Sequence, residues 1–155
     1  MPKLDFQDGK GRVSAHQHPN GGGWVADTAS VDETAFVGPD AEVYGHAEVY
    51  GHAGVYGHAR VSGYASVFGD ARVSGHARVY GCARVYGHAV VYGHARVFDN
   101  ARVFGNAMVS GYASVFGDAR VSGHARVYGH AVIKTSRFPQ IKRSDGWDFI
   151  AAPCS

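Results

Sequence analysis

From Val25 to Ile133 an aliphatic residue returns at every sixth position, and from Ala29 to Ala131 an alanine stands two residues ahead of each. Alanine and valine two apart, with polar or aromatic residues between them, make the alternation of a short strand with one buried face. In Ala77-Arg78-Val79-Tyr80-Gly81-Cys82 the first four residues therefore read as strand and the last two as corner. The Gly that follows nearly every Val-aromatic pair, and the His, Asn or Asp after it, are residue types that accept positive φ at least cost. Both positions are expected to serve the bend. An unbroken six-residue period is the mark of a solenoid with coils of fixed size. Three bends close a triangular coil, so the nineteen aliphatic positions predict about six coils of eighteen residues. At about 4.8 Å per coil the prism is on the order of 30 Å long.

The chain divides accordingly into an N-terminal cap over residues 1–24, the repeat over 25–134 and a C-terminal cap or tail over 135–155. The predicted core is thin, because alanine adds little and a valine contributes only about 1.5–3 kcal/mol on full burial. Stability must then come from the sum of like rungs and from hydrogen bonds between coils, which leaves the open ends as the weak points. Trp24 is large enough to cover the first coil. At the other end Phe138, Pro139, Ile141, Trp147, Phe149 and Ile150 supply apolar mass that could close the last one. A longer repeat lies inside the first: the segment from Val61 to Gly81 recurs from Val109 to Gly129, forty-eight residues on. Forty-eight is not a whole number of eighteen-residue coils, so the two copies are expected on different faces.

This pattern resembles the left-handed parallel β-helix of the bacterial hexapeptide-repeat family, whose repeat reads aliphatic, two or three variable residues, then a small residue. The resemblance covers residues 25–134 and implies the left hand, which periodicity does not show. The segment Gly22-Gly23-Trp24-Val25 and the Ala-Arg-Val-Tyr-Gly-His style are more narrowly similar to a bacterial and phage-borne branch labelled acyltransferase by fold alone. Family acyltransferases imply a homotrimer that binds an acyl-carrier thioester between subunits, with a catalytic histidine and a loop extruded from a coil. No such loop interrupts this repeat.

The coil histidines, His46, His52, His58, His76, His88, His94, His124 and His130, all fall at the second corner position. Corner chemistry explains them together, as residues tolerant of left-handed φ. Folding the hexads into three faces stacks His58, His76 and His94 on consecutive coils, followed by Tyr112 and His130. A zinc site needs three or four ligands converging on one point, whereas a straight ladder offers two, so neither a metal nor a cofactor is expected. Beside the valines, one face aligns Arg60, Arg78 and Arg96 with Tyr80, Phe98 and Phe116; the next aligns Arg84, Arg102 and Arg120 with Tyr86 and Phe104. A solvated sheet favours such residues on its own account. Eleven aromatics at one outward position are nevertheless a large apolar load. Guanidinium beside ring suits a nucleotide, the one taking phosphate and the other stacking on base. The third face is the least charged, and Tyr56, Val90, Tyr92, Met108 and Tyr128 mark it as the candidate contact between subunits.

Charge is divided along the chain. Residues 1–48 hold three basic and eight acidic side chains, residues 49–134 nine basic and three acidic, and the formal net charge of +2 hides this asymmetry. Double-stranded nucleic acid is disfavoured, since there is no lysine-rich run and no helix to enter a groove. Cys82 and Cys154 are too few for a disulfide framework, and no apolar signal segment or membrane span stands out. The expected location is the cytoplasm, that of the host if the protein is phage-encoded. The expected protein is thus an all-β solenoid with irregular caps, a homo-oligomer acting as a non-catalytic binding protein for an anionic small molecule or a host protein. Acyl transfer with a corner histidine as base, and a purely structural spacer, are the alternatives.

Overall fold

A computed structural model describes residues 3–135 and the backbone of two short strands, Ile141–Arg143 and Gly146–Asp148, which pair antiparallel. The repeat folds as a three-sided parallel β-solenoid of about six coils, with no helix among the described residues. Each hexad contributes a strand as short as Arg78–Val79, and each strand pairs in parallel with the one eighteen residues on, as Val61 with Val79 and Val79 with Val97. The first face runs from Trp24–Ala26 to Val132–Thr135, the second from Ser30–Val31 to Arg120–Val121, and the third from Phe36–Val37 to Arg126–Val127. The duplicated segment accordingly begins on the first face at Val61 and on the third at Val109.

Every alanine from Ala35 to Ala119 and every valine at the sixth-position repeat from Val37 to Val115 is fully buried, in one continuous core down the prism axis. The corners depart from the expected chemistry. The glycine alone takes the positive φ, 66° at Gly81 and 69° at Gly93, and the histidine after it does not. Positive φ at the first central residue only, closed by a bond such as Ala59 N–H to the Tyr56 carbonyl at 3.2 Å, is the pattern of a type II′ turn. Asp99 shows the rule by exception: it stands where other corners have glycine, adopts φ 57°, and accepts a hydrogen bond from Gly117 N–H at 3.2 Å. The histidine's own N–H donates to the glycine carbonyl one coil up, as His76 to Gly93 at 2.7 Å. Left-handed backbone therefore does not account for histidine at this position. In the first coil, where these glycines are absent, the hydroxyls of Thr28 and Thr34 donate to the carbonyls of Gly45 and Gly51.

The N-terminal cap is built differently from the expectation centred on Trp24. β1 (Lys3–Asp5) and β2 (Arg12–Gln17) form an antiparallel hairpin that continues the first face through β3 (Trp24–Ala26). Trp24 occupies the outward position ahead of Val25 and belongs to a second small core with the buried Phe6, Ala15 and Ala26. The free edge of the third face is closed instead by the chain between His18 and Gly23. Val37 N–H donates to Asn20 at 3.1 Å, Gly23 N–H donates to Val37 at 2.9 Å, and the buried His18 ring bonds the Ala35 carbonyl at 2.8 Å. A Cβ on Gly23 would lie 2.2 Å from the Gly38 carbonyl oxygen, so the approach requires glycine. The apolar side chains expected to close the last coil, Phe138 to Ile150, lie outside the described residues, as does Cys154.

Candidate functional site

The outward columns form regular ladders. On the second face Tyr50, Phe68, Tyr86 and Phe104 stack with centroids 4.8, 4.8 and 5.0 Å apart and planes within 3°. On the first face Tyr80, Phe98 and Phe116 do the same, at 5.0 and 4.8 Å, and Lys134 caps the series 5.6 Å over Phe116. Tyr80 and Phe104 end their ladders next to Ser62 and Ser122, so each stacks on a ring on one side only. Inside a ladder each ring's two faces are covered by its neighbours, so Tyr86 and Phe98 present only edges to a ligand. The continuous ladders also explain how a solenoid carries so many aromatics: Phe68, Tyr86, Phe98 and Phe104 are each part-buried by the rungs above and below.

The arginine columns lie beside them, in the two sets expected and on separate faces: Arg60, Arg78 and Arg96 in register on the first, Arg84, Arg102 and Arg120 on the second. The only carboxylate along the first column is Glu42, and it is engaged, with Arg60 Nε 3.1 Å from Glu42 Oε1. Burial raises the Glu42 carboxyl above its ordinary value, and the Arg60 guanidinium offsets part of that rise. Arg78 and Arg96 follow one coil and two coils above, with Ser114 next. Two guanidiniums a coil apart repel by about 1 kcal/mol in water and about 4 kcal/mol at an effective dielectric near 20. An anion between them turns that repulsion into attraction. Burial raises the Tyr80 phenol above its ordinary value, and the Arg96 guanidinium beside it offsets part of that rise.

The histidines complete this site, a juxtaposition that reading the columns one at a time missed. His58, His76, His94, Tyr112 and His130 stack along the corner leading into the first face, with centroids 4.8–5.2 Å apart. His76 and His94 stand two residues ahead of Arg78 and Arg96, and the two columns bound a groove of about 330 Å³ lined by His76, Arg78, His94, Arg96, Tyr112 and Ser114. The spacing of two, which puts corner ring and arginine on one side, was the available signal. Parallel imidazoles 7° and 3° out of plane place their nitrogens side by side instead of on one point. Among the described residues no group of three or more His, Cys, Asp or Glu could hold a metal ion. On the third face Tyr92 and Tyr128 are the exposed rings, at 40% and 70%, and Val90 and Met108 lie in register, part-buried, in the column beside them.

A family model described as the YdcK beta-solenoid repeat matches residues 95–111, 101–117 and 119–135. The chain is a β-solenoid repeat protein. The match falls on the upper coils, which carry Arg96, Arg102 and Arg120. Neither a curated protein nor a solved structure matches the chain. No helix among the described residues is long and apolar enough to cross a membrane.

Proposed function

We propose that this solenoid is a non-catalytic binding protein that holds a phosphate-bearing small molecule in the groove between the histidine ladder and the first arginine column. The observation that carries this reading is the alignment of His76 and His94 beside Arg78 and Arg96, cationic and N–H donor groups repeated at the coil spacing with no carboxylate lining the groove. Guanidinium and imidazole edges recognise phosphate oxygens, and Tyr112 and Ser114 add hydroxyls at the upper end. Base stacking contributes nothing within the ladders, so recognition centres on the phosphates; an acidic segment of a host protein is the alternative occupant. In a phage-borne setting, which the Gly22-Gly23-Trp24-Val25 resemblance suggests, such binding would withhold the ligand from the host as an accessory or counter-defence function. Copies of the chain meet, in this reading, through the third face at Tyr56, Val90, Tyr92, Met108 and Tyr128, whose few charges favour a contact between subunits.

Isothermal titration with ATP and with inorganic pyrophosphate tests the groove. Binding should weaken steeply with added salt and fall at least about tenfold in the double variant Arg78→Ser, Arg96→Ser, which continues the serine found naturally at position 114. Failure of both anions to bind, or unchanged binding by the double variant, would overturn the reading.

A further inference from the structure

The aromatic column of the first face is a ladder with a rung missing. Rising through the coils it reads Ala26, Tyr44, Ser62, Tyr80, Phe98 and Phe116, each in the coil above the last. At Ala26, where the column also has no ring, the chain supplies one from elsewhere: Phe6, 1% exposed against Ala15 and Ala26, stacks on Tyr44 at 4.9 Å and 13°. The third face repeats the device, with Phe36 leaning over Gly38 to stack on Tyr56 at 5.0 Å. A small residue in an aromatic column thus makes a place that a borrowed ring can take.

Ser62 is different, because open space remains there. It lines a concavity of about 300 Å³ with Tyr44, the stacked corner pair His46 and Tyr64, and Asp8 and Lys10 of the cap turn. Tyr44 stands one coil below Ser62 and Tyr80 one coil above. At the ordinary interstrand spacing those two rings are about 9.6 Å apart along the prism. One flat ring at the ladder's tilt then meets each neighbour at the spacing seen between Tyr80 and Phe98, 5.0 Å. Asp8 accepts the Lys10 backbone N–H at 3.0 Å, which fixes the turn, and Lys10 brings a basic side chain to the same rim.

We propose that the vacancy over Ser62 binds an aromatic carboxylate, its ring completing the ladder between Tyr44 and Tyr80 and its anion meeting the Lys10 ammonium. Intercalation covers both faces of the guest ring, where the interior of an unbroken ladder offers none. The site is centred on Ser62, one coil below Arg78, shares no lining residue with the phosphate groove and does not rest on that reading.

Fluorescence titration with 2-naphthoate, and with neutral 2-naphthol as its partner, tests the proposal on the full chain. Ser62→Tyr should fill the rung, abolish naphthoate binding and raise the thermal midpoint, whereas Ser74→Tyr, the same change on the third face, should leave the affinity unaltered. Lys10→Gln should weaken naphthoate about tenfold and leave naphthol unchanged. A folded Ser62→Tyr protein that still binds naphthoate as the wild type does, or equal effects of Lys10→Gln on the two probes, would overturn the assignment.

Discussion

Gly111 and Gly123 adopt the same backbone, φ 65° and 64°, yet a Cβ at position 111 would meet the Gly129 nitrogen at 2.9 Å and its oxygen at 3.0 Å, whereas one at position 123 has nothing within 4 Å among the described residues. Alanine at the two sites therefore separates the conformational demand of the corner from the steric demand of the coil stacked on it. The left-handed backbone costs a side chain about 1–2 kcal/mol, partly offset by about 0.4–1 kcal/mol from a stiffer unfolded chain. Gly123→Ala should then cost about 1 kcal/mol. Gly111→Ala adds an overpacking term of about 1–3 kcal/mol, because the obstructing atoms are backbone and carry the next corner's hydrogen bonds. Its total is about 2–4 kcal/mol. For a chain of this size about 1 kcal/mol moves the thermal midpoint by roughly 2–4 °C, so the two variants should differ by several degrees. Urea and thermal unfolding followed by circular dichroism, at unchanged m-value, measure the pair. Equal losses would refute the argument that close coil stacking, and not the turn alone, selects glycine at these corners.

Gly23→Ala should open the cap, with faster amide exchange at Val37 than in the wild type; unchanged exchange would remove the reason given for the glycine. Burial holds the Glu42 carboxyl above its ordinary 4.5, so its folded form grips the proton more tightly than the unfolded chain does. The stability this contributes is present at pH below 4.5 and is lost as pH rises through the raised value. Urea midpoints of the wild type relative to Glu42→Gln should accordingly fall between acid and neutral pH, and a rising difference would show that the Arg60 pair outweighs burial. Val90→Asp and Met108→Asp, which put charge into the third face, should release monomers in sedimentation; an unchanged mass would move the subunit contact elsewhere.

The core was legible because Ala and Val repeat without a miss and their burial needs no partner outside the repeat. The corner was only half legible. Gly93 and His94, or Asp99 and Asn100, look alike as turn formers, but the inter-coil bond from the second residue's N–H fixes which of the two bears positive φ. Phe6 was missed because its place depends on a vacancy, Ala26, twenty residues away. The histidine and arginine columns were each visible, but their joining into one groove depends on which corner turns into which face. The ladders themselves were not legible either: composition shows that aromatics are present, whereas stacking along the axis decides that the faces of interior rings such as Tyr86 and Phe98 are already taken.

Native mass spectrometry of the protein purified gently from its own cellular context tests the binding claim most directly. The account predicts an added mass in the range of a phosphate-bearing metabolite on the wild-type protein, and its loss from Arg78→Ser, Arg96→Ser prepared in the same way. A bare wild-type protein, or the same added mass on both, would contradict it.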